Sequence, residues 1–152
     1  MRPILWNDDL NTGVERIDDQ HKVLVNTLNE ANARLAALPE REPLEEITRD
    51  LLSYALYHFE TEEQIMQDLD YRSARPEEMA RHLDEHRAFS QTVLRIRERI
   101  EAGKPVTRDE LIGFLTNWLV NHIQHTDKKL SGFILERRAR QSGEQPGEGP
   151  GL

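Results

Sequence analysis

Pro76-Glu77-Glu78-Met79-Ala80-Arg81-His82-Leu83-Asp84-Glu85-His86-Arg87-Ala88-Phe89-Ser90-Gln91-Thr92-Val93 is the stretch that decides the fold. Its inward positions (Met79, His82, His86, Phe89, Val93, then Ile96 and Ile100) return every three or four residues, as one face of a helix does. Pro76 and the acids Glu77 and Glu78 suit a helix start, while Gly103 and Pro105 suit its end. Two members of the stripe are histidines where leucine is expected. A buried imidazole without partners costs roughly 1–3 kcal/mol, so the pair calls for an explanation.

The same stripe recurs three times. A first helix is predicted over Asp18 to Leu38 on His21, Leu24, Leu28, Ala31, Leu35 and Leu38. A second runs from Pro43 to Leu69 on Leu44, Ile47, Leu51, Ala55, His58, Glu62, Ile65 and Leu69. The fourth opens with the capping box Thr107-Arg108-Asp109-Glu110. It continues through Leu111, Leu115, Trp118 and His122, past Leu130, to Phe133 and Ile134. Narrow stripes and short loops imply an all-α, antiparallel up-down-up-down four-helix bundle. An extended arm, Met1–Ile17, precedes it, with Trp6, Leu10 and Val14 expected to pack across its surface. Residues 1–140 form the expected bundle domain. The Gly- and Pro-rich stretch 141–152 is expected to be a disordered tail.

Composition removes several chemistries. The chain has 152 residues, enough for one domain, and no cysteine. Disulfides, iron–sulfur clusters, thiolate zinc sites and cysteine nucleophiles are therefore excluded. The net charge of −8 disfavours nucleic acid and anionic membrane surfaces as partners. The N-terminus lacks an apolar signal core, and no apolar run approaches the ~18 residues of a membrane span. A cytoplasmic location is expected.

Five of the six histidines thus occupy core stripes on four different helices. His82 and His86 are four apart and project from one face; His58 and Glu62 repeat that spacing. Imidazole and carboxylate together suit a first-row transition metal. Asp127 lies five residues after His122, about 140° round an ideal helix, and would share its face only if a π-bulge intervened. Such a bulge is predicted there. Five imidazoles and two bridging carboxylates, with one solvent bridge, leave two six-coordinate ions a single open position for a small ligand. His125, three residues after His122, is expected at the surface or in packing rather than on a metal. Glu60 and Glu63 are expected to be solvated, and Tyr54 and Tyr57 to be packing residues.

At this point the chain resembles the hemerythrin family, most closely its stand-alone bacterial form. The matching stretches are Gly13-Val14-Glu15-Arg16-Ile17-Asp18-Asp19-Gln20-His21, His58-Phe59-Glu60-Thr61-Glu62-Glu63, His82–Phe89, and Trp118-Leu119-Val120-Asn121-His122-Ile123 with Asp127. The resemblance spans roughly residues 5–135. It implies reversible O2 binding at a non-haem centre of two iron ions joined by an oxo or hydroxo bridge. By analogy His82, His86 and His122 hold one iron, His21 and His58 hold the other, and Glu62 and Asp127 bridge them. Leu24, Phe59, Trp118, Leu119 and Ile123 match the family's ligand-pocket positions, although each is also an ordinary core residue by spacing.

An O2 carrier, store or sensor is the leading expectation, with an oxygen-consuming enzyme or a signalling protein as possible partner. The rival reading is an enzyme: a di-iron oxidase, peroxidase or iron-detoxifying ferroxidase. Ferritin-like oxidases use four carboxylates and Glu-x-x-His pairs, whereas this set is histidine-rich. Nitric-oxide or iron–sulfur repair chemistry is disfavoured by the absence of cysteine, and a metal-free interaction bundle by five buried imidazoles.

Overall fold

The computed structural model describes residues 3–37 and 41–148. Four long helical rods form the bundle: α1 (Glu15–Ala37), α2 (Arg41–Asp68), α4 (Pro76–Glu101), and a last rod built from α5 (Arg108–Asn121), a π-helical segment (His122–Asp127) and α6 (Lys128–Glu148). A short α3 (Tyr71–Ala74) links α2 to α4. The helix α1 packs on α2 and α5, α2 packs on α4, and α4 meets the π segment, which closes the ring. Successive rods run antiparallel, and no strand occurs among the described residues. Leu38 and Pro39, expected at the first helix end and its loop, lie outside the described residues.

The first helix starts earlier than its apolar stripe indicates. Asp18 faces back along the chain and accepts from the Thr12 backbone and hydroxyl (2.9 and 2.7 Å) and from the Gly13 backbone (3.2 Å). Gly13 has φ +91°, and a Cβ there would meet Leu135 at 3.1 Å, so both backbone and packing favour glycine. Asn29 pins the arm to α1 through paired bonds of 2.8 Å with the Ile4 backbone. Leu10 and Val14 are buried in the core rather than laid across its surface, whereas Trp6 is half-buried. At the start of α5 the Thr107 hydroxyl accepts from the Glu110 backbone at 3.0 Å, and Arg99 holds the Glu110 carboxylate at 2.8 Å.

The core is not continuous. A larger apolar cluster, including Leu24, Leu28, Leu51, Phe89, Val93 and Leu115, fills one end of the bundle. A smaller one fills the other end around Val14, Ile17, Met66, Tyr71, Leu130 and Ile134. Met66, absent from the sequence stripe, is fully buried there, while Ile65 and Leu69 are half-buried. Between the two clusters lies a layer of buried polar side chains.

The last rod continues helically to Glu148, past the Arg140 boundary expected from composition. Adding a residue to an existing helix is far easier than nucleating one, and the chain up to Arg140 supplies that template. Residues 149–152 of the expected tail lie outside the described residues.

Candidate metal centre

The polar layer consists of His21 from α1, His58 and Glu62 from α2, His82 and His86 from α4, and His122 and Asp127 from the π segment. All seven are buried. They fall into two groups whose ligand atoms converge within 4.8 Å of one another: Glu62, His82, His86 and His122, and His21, His58, Glu62 and Asp127. Glu62 belongs to both. Its Oε1 lies 3.3 Å from His58 Nε2, 3.4 Å from His82 Nε2 and 3.2 Å from His86 Nε2. Asp127 divides its oxygens between the groups: Oδ2 is 2.8 Å from His21 Nε2, while Oδ1 is 3.1 Å from both His82 Nε2 and His122 Nε2.

The π-helical segment brings Asp127 into this layer. Its limits, His122 and Asp127, are the two residues that regular α-helix would separate by about 140°. The bulge expected from sequence is present, and both residues are buried.

Several atoms here do not behave as parts of a closed hydrogen-bond network. Both oxygens of Asp127, Oε2 of Glu62 and Nε2 of His122 are buried without a hydrogen-bond partner among the described residues. His21 Nε2 and His58 Nε2 face each other at 3.1 Å. Buried polar atoms are ordinarily satisfied, so convergent lone pairs of this kind fit a cation. Imidazole nitrogens and carboxylate oxygens are the donors a first-row metal ion takes, and the residues present therefore fit a metal site.

The outer ring nitrogens show how the inner ones are aimed. His58 Nδ1 donates to Gln20 Oε1 at 2.6 Å, and Gln20 Nε2 in turn donates to the Thr61 hydroxyl at 3.2 Å. His86 Nδ1 donates to Glu63 at 2.9 Å, and His122 Nδ1 to Glu85 at 2.7 Å. A proton fixed on Nδ1 leaves the Nε2 lone pair pointing inward. Sequence spacing alone gives Gln20, Glu63 and Glu85 no place in the site, and leaves Glu63 to solvent. Their one signal was position: Gln20 adjoins His21, Glu63 adjoins Glu62, and Glu85 lies one turn after His82. His125 is exposed, its Nδ1 donating to the Asn121 carbonyl at 2.9 Å, as its expected surface position requires.

An apolar cavity of about 30 Å³ adjoins the layer. Leu24, Phe59, Trp118 and Leu119, four of the five pocket positions expected from sequence, line it together with Leu28, Leu51, Ala55, Phe89 and Leu115. Ile123 is instead buried in the surrounding apolar cluster. Phe59 stacks on His86 at 3.9 Å and Trp118 on His122 at 4.4 Å between ring centroids, so two aromatic plates separate cavity from imidazoles.

A family model for the hemerythrin HHE cation-binding domain matches residues 12–134. The chain belongs to the hemerythrin family. A bacteriohemerythrin of Pseudomonas aeruginosa (strain LESB58) is 38% identical over 134 residues, covering 88% of this chain and 81% of that protein. One of Stenotrophomonas maltophilia (strain R551-3) is 32% identical over 128 residues, covering 84% and 79%. The crystal structure of a wild-type hemerythrin superposes with a TM-score of 0.76 at 28% identity, covering 86% of this chain and 97% of the other.

The electrostatics of this hemerythrin site bear on metal uptake. Burial pulls the His82 imidazole down, but the Asp127 and Glu62 carboxylates beside it outweigh burial and push the ring up to about 9. Burial likewise opposes charge on His122, and the adjacent Asp127 charge still carries it well above 6.5. Burial would raise Glu62, yet His58 and the neighbouring rings hold it well below the usual carboxylate range. In the metal-free protein the His82 contribution to stability is therefore complete below pH 6.5 and is lost as pH rises through about 9. Metal uptake has the opposite sign, because the ion takes nitrogens that protons otherwise hold. Apparent metal affinity is expected to rise with pH up to about 9, with net proton release at neutral pH. Calorimetric titration in buffers of different ionisation enthalpy measures that release; a buffer-independent heat would contradict it.

Proposed function

We propose that the protein binds O2 reversibly at a pair of iron ions and is a carrier, store or sensor rather than an enzyme. His82, His86 and His122 would hold one ion and His21 and His58 the other, with Glu62 and Asp127 spanning both. When bound, the two ferrous ions supply the electrons that O2 takes up and gives back. The chain's own residues supply the conditions for return. Gln20, Glu63 and Glu85 hold the rings of His58, His86 and His122, which keeps the inward nitrogens in place.

The observation that carries the reading is the cavity, whose lining side chains are all apolar and which begins one turn from His21 at Leu24. Its size suits a small uncharged molecule, and its nearly all-apolar lining gives water little to hydrogen-bond with. Loss of bound O2 as a reduced, protonated product needs water or a proton donor, and this lining excludes both. The group of His21 and His58 has one imidazole fewer than the group of His82, His86 and His122, and Leu24 of the cavity lining lies one turn from His21.

No helix among the described residues is long and apolar enough to cross a membrane. We take the protein to be cytoplasmic, with an oxygen-consuming enzyme or a signalling protein as its partner; its net charge of −8 disfavours nucleic acid and anionic membrane surfaces. The metal-binding unit is taken to end near residue 140.

The test is gas cycling of the iron-loaded, anaerobically reduced protein. A visible band that appears with O2 and disappears under vacuum through several cycles is the expected result. A transient band that decays in one turnover to oxidised iron would identify the rival di-iron oxidase or peroxidase.

A further inference from the structure

Glu85 does more than meet one ring nitrogen. Its Oε1 accepts from His122 Nδ1 at 2.7 Å and from the Thr126 hydroxyl at 2.7 Å, and its Oε2 lies 2.9 Å from the same hydroxyl. His122 and Thr126 are four apart and both belong to the π segment, whereas Glu85 belongs to α4. One carboxylate from a neighbouring helix therefore grips the wide turn at two points, and Thr126 immediately precedes Asp127. A π turn is rare against the α alternative, so it persists only where its surroundings favour it. A further polar bond of the segment, from His125 to the Asn121 carbonyl, is exposed and lies within its own rod. At its end the turn also meets His21 and His82 through Asp127 itself, whereas the Glu85 grip holds it from another helix through residues other than that carboxylate.

We infer that Glu85 and Thr126 form a clamp that holds the π turn open and so sets the inward position of Asp127. Neither residue is a ligand; both are positioning residues, Glu85 acting through His122 and Thr126, and Thr126 acting through the backbone that carries Asp127. The inference rests on the reading of His122 and Asp127 as ligands. It adds a cause for the bulge: without the clamp, the turn is free to relax toward α-helix, which would rotate Asp127 out of the layer by roughly the 140° that regular geometry dictates.

The decisive variants are Thr126→Val, nearly isosteric but without the hydroxyl, and Thr126→Ser, which keeps it. Backbone amide exchange over residues 122–128 is measured in the metal-free protein, and iron affinity by chelator competition. In Thr126→Val we expect exchange in this segment to speed up about tenfold, as loss of a charge-assisted hydrogen bond implies. Exchange in α1 and α2 should stay unchanged. Iron affinity should fall by about 10–100-fold, the usual range for groups that orient metal ligands. Thr126→Ser should restore both, and Glu85→Ala should reproduce the Val variant.

Unchanged exchange over 122–128 in Thr126→Val would overturn the clamp. Faster exchange with undiminished iron affinity would overturn its role toward Asp127. Should the unaltered protein take up no iron at all, the ligand reading itself fails, and the exchange contrast still decides whether the clamp exists.

Discussion

Replacing His58 by alanine is expected to abolish O2 binding while leaving one metal ion per chain. His58 is buried, and its Nε2 lies 3.3 Å from Glu62 in the group that also contains His21 and Asp127. Removing it leaves that group with a single imidazole. The other group, Glu62 with His82, His86 and His122, keeps every donor. Metal analysis should fall from two ions to one per chain, and the gas-dependent band should vanish. A variant that still cycled with O2 at unaltered amplitude would remove His58 from the site and, with it, the division into two groups.

Loading with ferrous iron in the absence of oxygen is expected to stabilise the protein by a large margin. Free metal at a thousandfold its dissociation constant adds about 4 kcal/mol per ion. For two ions in a chain of this size, the unfolding midpoint should rise by roughly 15–30 °C. The structural reason is the polar layer between the two apolar clusters, where Asp127 oxygens and His122 Nε2 are buried without hydrogen-bond partners. A cation held by either group would meet such atoms and join three rods, and two cations would join all four. Melting curves with and without iron, followed by far-ultraviolet circular dichroism, measure it. A shift of only a few degrees would place the bound metal outside the layer.

The rods were legible in the sequence because their stripes obey a strict three- and four-residue return. The histidines were legible because each interrupts such a stripe. Even the π turn was visible, through a conflict: Asp127 is five residues from His122, and only an irregular turn puts both on one face. The residues that hold the rings were harder to see. Gln20, Glu63 and Glu85 lie beside the stripes at positions where polar residues are ordinary, and sequence periodicity does not say which of them turns inward. The cavity behaved similarly, since Leu28, Leu51 and Leu115 line it yet read as plain core. Long-range packing, not local pattern, separates a lining residue from a filling one. The start of α1 was missed because a loop closed by Asp18 and Gly13, rather than an apolar residue, begins it.

The order of the ligands along the chain has a consequence for biosynthesis. Helices emerge from the ribosome N-terminal first, and domains fold as they become available. When α2 and α4 have paired, Glu62, His82 and His86 already face one another, three of the four members of one group. The group of His21, His58 and Glu62 forms still earlier but stays one carboxylate short until Asp127 arrives, midway along the last rod. A nascent chain therefore passes through a stage that offers two three-donor groups sharing Glu62, and no complete one. Both groups are completed at the same moment, when the π segment delivers His122 to one and Asp127 to the other.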